Sequence, residues 1–113
     1  MKDVAEPVAR LIENLKKLPG IGTKSAQRMA FHILKMEKSD AEQLAETIRE
    51  VKLKIRRCSI CNNLTDVDPC NFCTDPKRND HVLCVVEESH GIIPIESTHE
   101  FNGRYHILLG AIS

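Results

Sequence analysis

Four cysteines, Cys58, Cys61, Cys70 and Cys73, stand as two Cys-x-x-Cys pairs with eight residues between them. Each pair can place two thiolates on one metal ion, and two pairs complete a tetrahedral four-sulfur shell. Such a closed shell keeps no open position for a substrate, so the expected zinc ion is structural, one per chain. A four-sulfur set also suits iron. The rival chemistry is thiol redox, which needs one reactive pair at a helix N-terminus in a βαβ setting, and neither pair has that context. A second stretch able to do chemistry is Leu18-Pro19-Gly20-Ile21-Gly22, followed by Thr23-Lys24-Ser25-Ala26-Gln27-Arg28. Gly20 and Gly22 admit left-handed or crowded backbone, Pro19 stiffens the entry, and Thr23 suits an N-cap. The amides of this turn are expected to point outward, where the helix dipole favours an anion. Lys24 and Arg28, four residues apart, reach the same side of the helix. Gly20, Ile21, Gly22, Lys24 and Arg28 are therefore the candidate phosphate-binding residues. Read blandly, the same stretch is a helix corner with two solvated charges.

The elements that must position these residues are legible in the apolar spacing. Val8, Leu11, Ile12, Leu15 and Leu18 recur at helical intervals behind Pro7, a good first-turn residue. Ala26, Met29, Ala30, Ile33 and Leu34 repeat the pattern beyond the turn. Two amphipathic helices joined in this way resemble a helix-hairpin-helix module, which holds nucleic-acid backbone without reading bases. Ser39-Asp40-Ala41-Glu42 reads as a capping box opening a third helix, with Ala41, Leu44, Ala45, Ile48, Val51 and Ile55 on its apolar face. That helix is expected to complete the small first core. So little buried surface would gain from a second copy, which offers the helix another role between subunits.

The 113 residues carry no formal net charge, yet the charge is unevenly spread. Residues 1–57 hold 13 Lys and Arg against 8 acids, a net of +5, while residues 58–113 hold 3 against 8, a net of −5. One basic binding face in the first half would produce this asymmetry, as would a set of solvated helix faces. No apolar stretch approaches the ~20 residues that span a bilayer, and the N-terminus lacks a secretory pattern. The reading is of a soluble, intracellular chain whose five cysteines serve metal or thiol chemistry, not disulfides.

Val82-Leu83-Cys84-Val85-Val86 reads as a strand buried on both faces, with Cys84 a small core residue. It ends at Glu87-Glu88, where open α/β sheets gather ligands. Residues 90–99 are expected to form a short irregular helix broken or begun at Pro94. Tyr105-His106-Ile107-Leu108-Leu109 then reads as a second strand reaching Gly110-Ala111-Ile112-Ser113. One βαβ unit cannot bury both faces of a sheet, so the chain is expected to be a fragment of a longer protein. Glu87 invites a Mg²⁺-assisted role in phosphoryl transfer, but no Asp-x-Asp motif follows to complete the ligand set. An exposed carboxylate or helix cap is the plainer reading. His81, His90, His99 and His106 lack metal-ligand spacing, and His32 reads as a surface or partly buried helical residue.

Leu18 to Arg28, the four cysteines, Val82 to Glu88 and Tyr105 to Ser113 together resemble the RecR family of bacterial recombination mediators, over what corresponds to its N-terminal half. The resemblance implies an α+β chain in several parts. Residues 1–56 would form a helix-hairpin-helix DNA-binding domain, 57–79 a small four-cysteine zinc ribbon, and 80–113 the first βαβ portion of a truncated α/β Toprim domain. It implies a non-enzymatic protein that binds single-stranded, double-stranded or junction DNA without sequence preference. Its expected partners are RecO and RecF, and it would help RecA load on gapped or single-stranded DNA during recombinational repair. A dimer or ring-like tetramer in the full-length form and a cytoplasmic, nucleoid-associated location are also implied. Glu87 falls on the acidic residue of the first Toprim motif, so the alternative is a Toprim-type Mg²⁺-dependent nucleotidyl-transfer or nuclease fragment.

Overall fold

A computed structural model describes residues 3–109. The chain divides into two compact units, one running to Ile48 and the other starting at Arg49, each with its own buried cluster.

The first unit is built on α1 (Glu6–Lys16) and α2 (Thr23–Lys35). Pro7 lies in the first turn of α1, where its missing N–H leaves no helical bond unmade. Ile12, Ala26 and Ala30 are completely buried, with Val8, Leu11, Leu15 and Ile21 packed around them. Two alanines on the inner face of α2 let the helix backbones approach closely. Leu18, expected on the apolar face of α1, lies beyond the helix end and is exposed. Met29 and Leu34 are exposed too, because the two-helix contact covers only the alanine side of α2.

The third helix, α3 (Lys38–Lys54), departs from expectation twice. Ser39 lies inside it instead of capping it, and the carbonyl of Glu37 accepts the first bonds, from the amides of Asp40 and Ala41. Nor does α3 complete the first core, since none of its residues is buried. Leu15, Met29, Ile33, Met36 and Leu44 instead line an open apolar hollow of about 500 Å³. A periodic apolar stripe marks a helix face but does not specify what covers it.

In the second unit, β1 (Arg56–Arg57) and β2 (Leu64–Thr65) pair antiparallel, and α4 (Asn71–Thr74) follows. Then β3 (Asn79–Val86) pairs in parallel with β4 (Gly103–Ile107). A 3-10 turn, Ser89–Gly91, and α5 (Ile92–Ser97) connect them, giving the βαβ arrangement. Pro94 sits in the first turn of α5, so the short helix passes through it unbroken. The expected strand from Tyr105 starts two residues earlier, at Gly103, and Leu108 and Leu109 extend it by donating to the carbonyls of Val86 and Glu87. Gly110-Ala111-Ile112-Ser113 lies outside the described residues. Gly103 is required sterically: a Cβ there would stand 2.6 Å from both the Val82 carbonyl oxygen and the Phe101 ring.

β3 is not buried on both faces. Val82, Leu83 and Val85 are exposed, and only Cys84 and Val86 turn toward the core, because among the described residues β4 is its only sheet partner. The core of this unit gathers Cys58, Cys61 and Cys70 with Ile92, Tyr105 and Ile107, so the cysteine knuckles and the strands share one interior. Hydrogen bonds join them: the Ile107 amide donates to the Cys61 carbonyl at 2.8 Å, Asn62 Nδ2 donates to the Ile107 carbonyl at 3.1 Å, and the Arg104 guanidinium donates to the Phe72 carbonyl.

Arg78 organises the other side of that core. Its guanidinium lies 4.7 Å from the centre of the Phe72 ring, pairs with Glu96 Oε1 at 2.5 Å and donates to the Gly103 carbonyl at 3.1 Å. The Tyr105 hydroxyl donates to the other Glu96 oxygen. The hydrogen bond from Arg78, ahead of that from Tyr105, holds the Glu96 carboxyl below the usual carboxylate range despite its partial burial. A depressed carboxylate stabilises the fold above its unfolded pKa, and that support fades as pH falls through the folded value. Acid is therefore expected to weaken the second unit below about pH 4. Glu96→Gln should lower stability at neutral pH by about 1–3 kcal/mol and flatten this acid limb in pH-dependent denaturant melts.

Candidate nucleic-acid interface and metal centre

The hairpin begins where α1 ends. Leu18 and Ile21 amides donate back to the carbonyls of Leu15 and Leu18, which closes the corner. Gly20 takes φ +81°, a left-handed conformation that residues with a Cβ resist. Gly22, at φ −87° and ψ −177°, is ordinary extended backbone and serves as the N-cap of α2, the role expected of Thr23. Thr23 is instead the first helical residue. The Gly22 carbonyl accepts from Ala26 at 2.9 Å, and no side chain caps the helix.

Uncapped, this terminus keeps its donors. The amides of Gly20, Gly22, Thr23, Lys24 and Ser25 make no hydrogen bond among the described residues. A Cβ added at Gly20 or Gly22 would meet nothing within 4 Å, so the backbone here borders open space. The donors and the positive end of the helix dipole together suit an anion. Gly20→Ala would introduce no clash, only backbone strain. It is expected to lower the stability of the first unit by about 1–2 kcal/mol, read as an earlier loss of helical signal on heating.

Lys24 and Arg28 are exposed and line one open groove of about 780 Å³ together with Gln27, Phe31, His32 and Lys35. Neither cation has an ion-pair partner among the described residues, and α2 contains no acidic residue. Ile21 is set apart from these, packing its side chain against the Ile12 cluster. Phe31 and Lys35 went unnoticed in the sequence, although the spacing 24, 28, 31, 35 continues a single helical stripe.

The four cysteine sulfurs meet within 4.8 Å of one another. Cys58 Sγ lies 3.8 Å from Cys73 Sγ, and Cys61 Sγ lies 3.5 Å from Cys70 Sγ. Four sulfurs each ~2.3 Å from one tetrahedral zinc stand ~3.8 Å apart, so the donor set fits that ion. The local fold prepares it: the Cys70 amide donates to Cys58 Sγ at 3.3 Å and the Asn63 amide to Cys61 Sγ at 3.4 Å. Asn62, at φ 71°, turns the first knuckle. Burial raises the thiol pKa of Cys73, and that of Cys61 to about 11. At Cys58 the amides of Cys70, Cys61 and Ile60 outweigh burial and bring the thiol down to about 7. Cys84 lies apart from this set, half-buried in β3.

Glu87 and Glu88 stand exposed at the end of β3, around an open hollow of about 330 Å³ shared with His90 and Gly91. Glu88 is 3.2 Å from His90 Nδ1. Among the described residues the cysteine quartet is the only group of three or more His, Cys, Asp or Glu side chains placed to hold a metal ion. No helix among the described residues is long and apolar enough to cross a membrane.

Two family models match the chain: the RecR helix-hairpin-helix over residues 8–52, and the RecR zinc finger domain of four cysteines over residues 55–75. A Recombination protein RecR of Koribacter versatilis is 61% identical over all 113 residues, and the one of Acidobacterium capsulatum is 58% identical over the same span. That of Heliobacterium modesticaldum is 51% identical. In each case the match takes in 100% of this chain and 57% of the relative, so the chain spans little more than half their length.

Proposed function

This chain belongs to the RecR family, and from that membership we propose that it is a non-enzymatic DNA-binding part of a recombination mediator in recombinational repair. The observation that carries this is the bare N-terminus of α2, whose free amides adjoin an acid-free row of cations. A phosphate would sit against the backbone of Gly20, Ile21 and Gly22 while Lys24 and Arg28 supply charge. Contacts of this type fix position on the strand and carry no sequence information, which fits a protein that must act wherever a gap occurs.

Cys58, Cys61, Cys70 and Cys73 would hold one zinc ion, whose contribution is to tie the knuckles together. The ion has no part in any reaction step. The three-part division at residues 1–56, 57–79 and 80–113, the last as the start of a Toprim domain, completes the reading. The family resemblance extends it to RecO and RecF as partners, to RecA loading on gapped or single-stranded DNA, and to a dimer or ring-like tetramer in full-length form. Work in the bacterial cytoplasm at the nucleoid accords with this role. Several hairpins in one assembly would multiply a weak single grip.

The test is a titration of the zinc-loaded chain against fluorescently labelled DNA of unrelated sequences at two salt concentrations. Binding of similar strength to all sequences, weakening steeply with salt, is the expected result. Absence of binding at low salt would end this proposal. Metal-dependent cleavage or synthesis lost in Glu87→Gln would favour the Toprim-type alternative.

A further inference from the structure

On α2, Lys24, Arg28, Phe31 and Lys35 fall at intervals of four, three and four residues. That is one helical stripe about 16 Å long. All four side chains line the same open groove, and Phe31 is 45% exposed within it. The chain's other two phenylalanines, Phe72 and Phe101, pack against the core of the second unit, whereas this ring is framed by cations on both sides along the helix. No acidic side chain of α2 and no ion pair among the described residues offsets those charges. An apolar partner protein would find the rim of this groove repulsive unless it were itself strongly acidic. A chain carrying a regular anion beside each flat apolar face fits both features at once.

We propose that Phe31 is a stacking platform for an unpaired base of single-stranded DNA whose flanking phosphates are held by Lys24, Arg28 and Lys35. This rests on the phosphate-binding reading of the hairpin and adds to it the form of DNA preferred. A paired base keeps its faces inside the duplex stack, so Phe31 gains a partner only where the strand is open. Stacking tolerates every base, so the platform favours single strands without reading sequence. Gln27, on the same groove, can bond a base edge or a phosphate equally.

The chain contains no tryptophan, so Phe31→Trp introduces a single indole reporter. Its fluorescence is expected to be quenched on saturation with a short oligothymidylate and little changed by duplex of equal length. Phe31→Leu keeps an apolar side chain of similar bulk. It should weaken oligothymidylate binding about tenfold while leaving duplex binding within about twofold, and Phe31→Trp should restore the single-strand affinity. An unchanged single-strand affinity in Phe31→Leu, an equal loss on both DNA forms, or an unquenched indole on saturated protein would each overturn the platform. If those results accompany salt-sensitive binding by the unaltered chain, the phosphate reading stands and the platform alone fails. If the unaltered chain binds neither form of DNA, both fall.

Discussion

Serine in place of Cys58 or Cys70 is expected to unfold the second unit and leave the first helical. Both cysteines are about 1% exposed and belong to the cluster that contains Ile92, Tyr105 and Ile107. Loss of one ligand forfeits most of a zinc-binding free energy of about 10–16 kcal/mol, as large as the whole stability of an ordinary small domain. The apolar remainder is thin: two strands of which one keeps an exposed face, and two short helices. Nothing in the Ile12, Ala26 and Ala30 cluster contains a sulfur ligand, so α1 and α2 have no direct stake in the metal. The chain supplies its own reporter, because Tyr105 is its only tyrosine and is 2% exposed. Metal analysis should fall from one zinc per chain to none while near-ultraviolet signal from Tyr105 collapses and much of the far-ultraviolet helix signal persists. Zinc loss with an unaltered Tyr105 signal would show that the knuckles do not support the strands.

Lys24→Ala combined with Arg28→Ala is expected to reduce DNA affinity by about tenfold to a hundredfold and to make the residual binding less sensitive to salt. Each lost phosphate contact removes roughly 0.7–0.9 from the slope of log affinity against log salt, so the pair should flatten it by about 1.5. Both side chains are exposed and make no ion pair among the described residues, so their removal should leave the melting curve almost unmoved. That separation of affinity from stability distinguishes a binding role from a structural one. A double variant that binds as tightly as the unaltered chain at both salt concentrations would remove the cations from the interface.

The parts most legible in the sequence are those set by neighbours along the chain. Cysteine spacing brings two sulfurs of each knuckle together within four residues, and Pro19 with Gly20 announces a corner whatever surrounds it. The helical intervals located α1 and α2 because their burial is mutual and local. Harder features depend on distant residues. Which of Gly22 and Thr23 caps α2 turns on how the chain leaves the left-handed Gly20, and both are acceptable caps by type. Exposure of Val82 and Val85 reflects the scarcity of strand partners, which apolar character alone cannot report. The bond between Asn62 and Ile107 crosses 45 positions, and no spacing rule forecasts it. Phe31 was hidden for the opposite reason: its interval from Arg28 was visible, but an aromatic on a helix is normally core, and only its exposure reveals otherwise.

Ala26 and Ala30 sit at the crossing of α1 and α2 with no exposed surface at all. The α2 side of that crossing is two methyl groups set against the fully buried Ile12, so a bulkier residue there must push the helices apart. Such a wedge would act as a lever on the corner at Gly20, spreading the turn that ties the start of α2 to the end of α1. Damage to the grip can therefore originate at a position that no ligand could ever touch.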